Sequence, residues 1–574
     1  MLAVCAGMVV PTAHAQIFNH VEGDGAGQNI NDGNFVTAVG DGAGFSVRSG
    51  NESTYLGYQA GYNNLARTAV FIGYLAGFTN TNGFDNVFVG ANAGYFNLDG
   101  GDNTFIGGNA GQGNTTADEN TFVGDQAGEC NTTGEQNTYI GTEAGPNVSS
   151  GGCGALGTGF KNTAVGTDAL SDVTSGFRNT AIGVRALDDV SSGDRNTALG
   201  DSAGVDIGVG RYNTMLGQAA GSNTEHADFN TFVGANAGWD NNRTNNTENA
   251  NRNTYVGYFT GYENREGQDN VGMGHNADFF DDDIGESRNV FIGANALLRN
   301  GDNVIVGYST RSTVDRGIAL GYNADVAGTD GIALGYNADL NNTGGIIIGD
   351  AVMGFGTNSI AIGTSSSVTA ENAIAIGNGT SVTSANEVTI GNGATTAIGG
   401  IVNWTATSDA RLKTDVREDV PGLAFITRLR PARYRFDVDG LRSLSAAGRD
   451  LDEALVAKSQ VWQTGFLAQE VEAAAEAVGF DFSGVVAPTD GRSHYGLRYA
   501  EFVVPLTQAI QELDVREQDL AASIGTLAER LTRLETQVTA QQRRYATAPA
   551  PVSDQDVQQA EDALTRLEAL AADR

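Results

Sequence analysis

A serine and a lysine stand five positions apart in the hexapeptide SDARLK, as Ser408 and Lys413. The chain has three lysines against thirty arginines, so a lysine at this position needs an explanation. Arginine keeps its proton near neutral pH, whereas lysine can lose its proton where its surroundings lower its pKa. A neutral lysine beside a serine can accept the hydroxyl proton and make the oxygen nucleophilic. The hexapeptide alone is therefore consistent with a Ser-Lys catalytic pair, or with a solvated lysine in a polar turn.

The five-residue spacing limits how Ser408 and Lys413 could meet. Such a spacing turns about 140° around a helix and lands on the opposite face of a strand, so neither element brings the two together. They must meet through a turn or across a subunit boundary. Lys413 also needs a lowered pKa, which burial and a neighbouring cation such as Arg411 would favour.

Other residues with catalytic or metal-binding potential give weaker patterns. The five histidines are scattered, and the sequence has neither an HExxH motif, nor Cys/His zinc spacing, nor a P-loop lysine. The acidic run Asp281–Asp283 could bind a cation, but a solvated loop is favoured. His494 could polarise the reactive site, although a structural hydrogen bond is favoured. No cofactor and no metal is expected.

Composition divides the 574 residues into at least two structural units. Of the 79 glycines, 70 precede Ser408, while Pro146 is the one proline between residues 16 and 407. Many glycines with almost no proline favour stacked β-ladders with tight corners, because glycine allows positive φ and proline would remove a ladder donor.

Charge and the N-terminus indicate where the protein acts. The formal charge is −35, so the chain should repel nucleic acid and anionic membranes. Residues 1–15 combine a short apolar run with an Ala-His-Ala ending typical of a secretory cleavage site, although they lack basic residues. No stretch has the roughly 20 apolar residues of a membrane span. In an oxidising compartment Cys130 and Cys153 could pair, but they fall at different places in the repeat described next.

Internal repetition is the strongest pattern in the sequence. A unit of 17 residues recurs, as in NTFIGGNAG (103–111) and NTFVGDQAG (120–128), with longer intervals at 141–166 and 234–257 that indicate inserted loops. From Gly293 to Gly391 the central glycines are 14 residues apart. These units are too short for a helix pair, so each predicts one β-coil of a parallel solenoid. Apolar pairs such as Ile360 and Ile362 share one face, and we expect each coil to bury its pair.

The 14-residue repeats, for instance SIAIGTSSSVTAEN (359–372) and AIAIGNGTSVTSAN (373–386), resemble the head repeats of trimeric autotransporter adhesins. That family implies a left-handed parallel β-roll packed as a trimer. The 17-residue array is similar to repeats that precede chaperone domains in bacterial and phage fibre proteins. Such adhesins end in a membrane-anchoring barrel, and this chain does not show that pattern.

Beyond Trp404 the repeat stops and the pattern becomes α+β. Four ordered blocks resemble the C-terminal intramolecular chaperone (peptidase) domain of phage endosialidases and other tail spikes: SDARLKTDV (408–416), LRPARYRFDV (429–438), GFLAQEVE (465–472) and YGLRYAEFVVPLTQAIQEL (495–513). The blocks predict a strand at 430–438, a helix entered within 465–480, and a long helix beginning within 496–513.

That resemblance implies a domain that helps a β-fibre trimerise and then cuts itself off through a Ser-Lys dyad. Ser408 would be the nucleophile, Lys413 its general base, and the Thr407–Ser408 bond the one cleaved. Asp409, Arg411 and Leu412 complete the motif. Asp409 is expected to orient the loop or to pair locally, and no proton transfer is assigned to it.

The C-terminal helix predicts oligomerisation independently of the resemblance. Apolar residues occupy the a and d positions of a heptad repeat from Val503 to Val538, with Glu517 as the one interruption. This pattern favours a coiled coil, whereas the strand number of three comes from the family. A proline-containing break and a short amphipathic helix follow.

These patterns predict a mainly β protein: a repetitive parallel β-roll or β-solenoid shaft, then an α+β chaperone domain and a coiled coil. The expected boundaries are a signal peptide at 1–15, 17-residue repeats at 16–285, 14-residue repeats at 286–398, a connector at 399–407, the chaperone and peptidase domain at 408–513, the coiled coil at 503–541, and a terminal break and helix at 546–574.

The predicted function is a secreted or bacterial surface homotrimeric fibre, or a phage-like virion fibre, that cleaves itself once. Its possible partner is a surface glycan or host receptor. The alternative is a structural adhesin whose chaperone-like cap stays attached. A glycan-degrading spike is disfavoured because the shaft shows no inserted catalytic domain, although the loops at 141–166 and 234–257 could hold a binding site.

Overall fold

The computed structural model describes residues 19–31, 35–48, 52–147, 157–242, 249–279, 286–402, 404–443, 452–488, 494–546 and 553–572. The chain divides into two compact units. The first ends at Ile398 and also takes in Val438–Leu455, and the second comprises Gly399–Asp437 and the residues from Val456 onward.

The first unit is a solenoid whose coils each contribute one three-residue strand to a 23-stranded parallel sheet. In the region of 17-residue repeats the strands are β1 (His20–Glu22), β2 (Thr37–Val39), β3 (Thr54–Leu56), β4 (Val70–Ile72), β5 (Val87–Val89), β6 (Thr104–Ile106), β7 (Thr121–Val123), β8 (Thr138–Ile140), β9 (Thr163–Val165), β10 (Thr180–Ile182), β11 (Thr197–Leu199), β12 (Thr214–Leu216), β13 (Thr231–Val233), β14 (Thr254–Val256) and β15 (Val271–Met273).

From Asp278 onward each coil has a second, two-residue strand, and these strands form an eight-stranded parallel sheet of their own. The two sheets alternate along the chain as β16 (Asp278–Phe279), β17 (Val290–Ile292), β18 (Leu297–Leu298), β19 (Val304–Val306), β20 (Arg311–Ser312), β21 (Ile318–Leu320), β22 (Asp325–Val326), β23 (Ile332–Leu334), β24 (Asp339–Leu340), β25 (Ile346–Ile348), β26 (Met353–Gly354), β27 (Ile360–Ile362), β28 (Ser367–Val368), β29 (Ile374–Ile376), β30 (Ser381–Val382) and β31 (Val388–Ile390).

Strand pairing follows the repeat. Thr104 pairs with Thr121 one coil later, and Ile360 with Ile374 in the shorter repeat. The longer intervals do not disturb the ladder, because β8 still pairs with β9, and β13 with β14, in the same register. The predicted solenoid is therefore confirmed, as is the interpretation of those intervals as insertions between coils.

The direction in which the strand residues face differs from the expectation. From β2 to β29 the middle residue of each three-residue strand points into the coil, as Ala361 does, whereas Ile360 and Ile362 on either side are half-buried on the outer face. The prediction that each coil buries its branched pair was wrong for the single chain. Side chains alternate between the two faces of a strand, so one residue of the three faces the interior, and that position accepts Ala361 as well as the larger Ile347.

The interior conserves volume between coils that carry different core residues. Phe105 lies opposite Gly111, where an added Cβ would come within 2.5 Å of the ring. In another coil the core residue is the smaller Ala164, and the position six residues later, which corresponds to Gly111, is occupied by the buried Leu170. Larger core rings stack coil upon coil, with 4.8 Å between the ring centroids of Phe105 and Phe122. Exchanging Phe and Gly for Ala and Leu keeps the packing filled.

In the coils from Asn86 to Asn303, buried asparagines satisfy the backbone where the chain enters each strand of the larger sheet. The Asn120 N–H donates to Asn103 Oδ1 at 2.9 Å, and Asn120 Nδ2 donates to the Gly134 carbonyl at 2.9 Å. The same pattern continues to Asn137, whose N–H donates to Asn120 Oδ1. The Asn of the repeat motif is thus an interior hydrogen-bonding residue, since a buried backbone donor left without a partner would cost free energy.

The first unit also contains Cys130, which is fully buried and disulfide-bonded. Cys153 and Asp281–Asp283 lie outside the described residues. The pairing of Cys130 with Cys153 and the favoured loop at 281–283 both remain predictions.

The second unit contains short elements around a small core, followed by two long helices. In chain order its elements, and the two helices that flank the gap at 444–451, are α1 (Leu423–Ile426), β32 (Ala432–Tyr434), α2 (Val438–Ser443), α3 (Asp452–Ser459), β33 (Gln463–Gly465), α4 (Ala468–Glu476), β34 (Val485–Val486), β35 (Gly496–Leu497), α5 (Val503–Ala546) and α6 (Asp554–Ala572). The predicted strand is shorter than expected, because β32 has only the three residues of β33 to pair with.

Helix α5 is 44 residues long, and its apolar seam is exposed from Val503 through Leu520 to Val538. In its first turns Ala509 is buried, and α1 packs against the helix there. None of the helices in the described ranges is both long enough and apolar enough to cross a lipid bilayer.

A substitution at Gly107 tests whether the coil corner requires a residue without a Cβ. Its φ is 142°, and an added Cβ would lie 2.1 Å from the Gly124 carbonyl oxygen of the next coil. We expect Gly107→Ala to destabilise the shaft by roughly 3 kcal/mol, because backbone of two coils must separate. Gly108→Ala is the control, since its Cβ would meet only the Asp125 carboxylate, which can rotate away. Thermal unfolding of both variants checks this, and equal midpoints would contradict the corner argument.

Asp278 gives the shaft a pH-dependent stability. Its carboxyl is buried and accepts hydrogen bonds from the Glu263 and Phe279 N–H groups, and burial raises its pKa to about 8. The folded state therefore binds more protons than the unfolded state between about pH 4 and pH 8, so this group destabilises the fold increasingly as pH rises through that window. Asp278→Asn should unfold at a higher temperature than wild type at pH 9. The gap should shrink steadily towards pH 5 in matched thermal scans, and a pH-independent gap would contradict the assignment.

Candidate active site

The motif at 408–413 folds into a short 3₁₀ turn with extended backbone on both sides. The turn covers Ala410–Leu412, and Asp409 begins it by accepting the Arg411 N–H at 2.9 Å. The Lys413 N–H donates to the Ala410 carbonyl at 3.2 Å and closes the turn. A short polar residue at the N-cap explains why the chain turns here.

This turn brings the two predicted reactive side chains together. Lys413 Nζ donates to Ser408 Oγ at 2.7 Å. Because extended residues flank a single tight turn, positions five apart lie on the same side, which neither a helix nor a strand would allow. Of the two routes left open by the spacing, a turn within one chain is the one seen.

Asp409 and Arg411 form an ion pair with each other. Arg411 Nη2 lies 2.6 Å from Asp409 Oδ2, and the guanidinium holds the pKa of Asp409 below its usual range. The carboxylate in turn raises the pKa of Arg411. The guanidinium of Arg411 is thus paired with a carboxylate within the turn, and its expected influence on Lys413 stays a prediction. Asp409 orients the turn, as predicted.

The site is open to water in the single chain. Ser408, Arg411, Leu412 and Lys413 are all exposed, and so is Val416 a few residues on. Among the described residues, the polar contacts of Ser408 and Lys413 run within the turn itself. Water stabilises the charged form of an amine, so a lysine that is to accept a proton needs cover from outside the turn.

The other two lysines lie over aromatic rings, and His494 is exposed. Lys161 in the shaft lies over the Phe160 ring, 5.8 Å from its centroid. Lys458 lies over Phe436, and burial lowers its pKa. His494 is exposed, and Ser408 and Lys413 form their hydrogen bond without it. Hydrogen bonding to the serine therefore favours Lys413 as the base.

A small apolar core supports the residues that follow the turn. Phe425 of α1 is fully buried with Val471 of α4, Phe482 and Phe502. Aromatic edges and faces dominate this core, as where Phe482 meets Phe502 at 79° and 4.8 Å. Such contacts fix α1 ten residues beyond Lys413.

Glu512 is a structural residue that the sequence patterns missed. Its carboxylate accepts the Leu423 N–H at 2.9 Å and the Gly422 N–H at 3.2 Å, so α5 caps the N-terminus of α1 from 90 residues away. The heptad pattern places Glu512 outside the apolar seam, where it looks like an ordinary solvated residue. Only tertiary packing reveals this cap.

Comparison with known families agrees with the predicted arrangement. Residues 408–480 match the family described as chaperone of endosialidase, which is a peptidase family. The match begins at Ser408, the serine whose hydroxyl accepts a hydrogen bond from Lys413. Two copies of the YadA head domain repeat match residues 315–338 and 356–380. No curated protein matches the chain. The predicted order, head repeats in the shaft followed by a chaperone segment, is confirmed.

Proposed function

We propose that this chain is a trimeric fibre protein whose chaperone segment cleaves the Thr407–Ser408 bond once, with Ser408 as nucleophile and Lys413 as general base. The observation that carries the proposal is the 2.7 Å hydrogen bond from Lys413 Nζ to Ser408 Oγ at the first residues of the chaperone match. In this family, a hydroxyl paired with a lysine at that position serves self-cleavage.

The scissile bond directly precedes the nucleophile, which defines the chemistry. Neutral Lys413 accepts the hydroxyl proton while Ser408 Oγ attacks the carbonyl carbon of Thr407. The C–N bond then breaks, the Ser408 nitrogen gains a proton, and Thr407 becomes an ester on the serine oxygen. Water hydrolyses that ester, leaving a carboxylate at Thr407 and a free amine at Ser408. One bond breaks per chain, so the enzyme turns over once.

Assembly supplies the cover that the single chain lacks. The α5 seam from Leu506 to Leu534 is exposed along one stripe, and coiled-coil partners bury such stripes. The outer face of the shaft sheet has a second apolar stripe, which includes Ile332 and Leu334. Two unpartnered stripes in one chain support a parallel homo-oligomer, and the YadA-like head repeats favour three copies.

The fibre is proposed to act outside the cell, at a bacterial surface or on a phage-like particle, where the shaft would meet a surface glycan or host receptor. A signal peptide at 1–15 fits that setting but lies outside the described residues. The alternative function is a structural adhesin that keeps its chaperone-like cap, and it differs from the main proposal in the fate of one peptide bond.

Intact-mass measurement of the expressed full chain tests the cleavage. We expect a C-terminal fragment of 167 residues, 408 to 574, with Ser408 as its new N-terminus. Ser408→Ala and Lys413→Ala should leave the chain uncut, since one removes the nucleophile and the other its base. Hydroxylamine added during maturation should trap the ester as a hydroxamate on Thr407.

Lys161→Ala and Lys458→Ala are the matched controls and should mature at the wild-type rate. Normal maturation of Lys413→Ala would overturn the dyad, and a different new N-terminus would overturn the placement of the bond. An intact wild-type chain would favour the structural adhesin.

Weakening the coiled coil tests whether assembly permits the cut. Leu520→Asp combined with Leu527→Asp puts carboxylates at two d positions, where burial without partners costs several kcal/mol. We expect this double variant to stay monomeric in light scattering and uncut. Ala522→Asp with Thr526→Asp adds the same charge outside the seam and should assemble and cut normally. Efficient cutting by a monomeric variant would show that the dyad works within one unassembled chain.

A further inference from the structure

The segment between the last coil and the cut site is unusually apolar for a connector. Ile401 is fully exposed, and Val402 and Trp404 are 83% and 82% exposed. Ile398 is also more than half exposed. Flexible linkers are normally polar, because a tryptophan and several aliphatic side chains in water favour association. We call residues 398–407 the tail.

The interior of the last coil of the shaft is not fully buried. In β29 the middle residue Ala375 is buried, whereas in the last strand, β31, the middle residue Thr389 is only half-buried. Val388 beside it is 60% exposed, whereas Ile374, which pairs with it from one coil earlier, is half-buried. Solenoids need a cap at each end, since the last coil has no neighbour to cover it.

The apolar residues of the tail recur every third position, at Ile398, Ile401 and Trp404. An extended chain with three residues per turn places such residues along one side. Gly399 and Gly400 have no atoms within 4 Å of where a Cβ would be, so the backbone can rearrange there. Three such chains around a threefold axis would each turn this side inward.

We propose that the tails of the three copies pack against one another, through Ile398, Ile401 and Trp404, as a clamp that closes the C-terminal end of the mature fibre. The occupant of each apolar side is the same segment of the other two copies, since Ile398 follows the last coil, which ends at β31, along the chain. This inference rests on the proposed trimer and on the cut after Thr407. It explains why the scissile bond lies beyond Trp404, because a cut nearer the last coil would remove the clamp with the chaperone.

Trp404 itself reports whether the clamp exists. Trp462 leaves with the C-terminal fragment, so the released shaft keeps Trp239 and Trp404. In a Trp239→Phe background, the emission of purified, cleaved fibre comes from Trp404 alone. We expect blue-shifted emission and acrylamide quenching several-fold weaker than in the same fibre unfolded in denaturant. Quenching equal to that of the unfolded fibre would overturn the clamp.

Paired substitutions test the spacing. Ile401→Ser removes an inward residue, whereas Thr405→Ser changes a residue outside the series of three. We expect both variants to be cut at the wild-type rate, but the released Ile401→Ser trimer should separate into monomers at a clearly lower temperature. Equal dissociation temperatures for the two variants would overturn the clamp. So would a tail that is protected from acrylamide only when a glycan or lipid surface is added, because its occupant would then be foreign.

The outcome can be separated from that of the proposed function. If wild-type chain assembles but stays uncut, the cleavage proposal fails, and the clamp can still be measured on the uncut trimer after adding Trp462→Phe. Protected Trp404 in that trimer supports the clamp, and accessible Trp404 refutes it. If the chain is monomeric in light scattering, both the trimer and the clamp are refuted.

Discussion

Each coil of the shaft lies one strand spacing, about 4.8 Å, from the next, and every other feature of this unit adapts to that distance. The corner glycines are required because a Cβ on Gly107 would collide with the next carbonyl. The core rings of Phe105 and Phe122 stack at 4.8 Å because nothing else fits between coils. Buried asparagines such as Asn120 pair with the coils on either side for the same reason, since only a neighbour is within reach.

A structure built from nearest-neighbour contacts leaves surfaces that one chain cannot cover. The described residues leave the outer apolar pairs, such as Ile360 and Ile362, only half-buried, and they do not fully cover the end of the stack at β31 either. Helix α5 also leaves apolar side chains uncovered, because the seam formed by its a and d residues is exposed to water. Exposed apolar surface of this extent favours association, so the chain is best understood as one part of an assembly. A chaperone segment is appropriate in such a chain, because open parallel ladders aggregate easily before they are covered.

The hydrogen-bond geometry of Ser408 and Lys413 and the exposure of these two side chains to water are two separate properties of the reactive pair. Six consecutive residues are enough to set Ser408 Oγ against Lys413 Nζ, with the Asp409 and Arg411 ion pair holding the turn. The same residues leave the amine exposed to water. The single chain therefore shows the geometry of the proposed dyad, and under the proposed function assembly would provide the cover that the turn lacks.

The sequence by itself determined the solenoid, the change from 17 to 14 residues per coil, the inserted loops and the long helix, because each follows from periodicity, and periodicity is local. It also identified Ser408 and Lys413 as the pair to examine, through the rarity of lysine and the resemblance of the surrounding motif. Tertiary structure alone decided which strand residues face inward, since alternation along a strand defines two sets of residues without deciding which set is buried: Ala361 is buried, and Ile360 beside it is half-buried. It also decided that Glu512 caps α1, because a contact across 90 residues has no signature in the local pattern. The ion pair between Arg411 and Asp409 likewise became visible only in the structure, where the turn places the two side chains together.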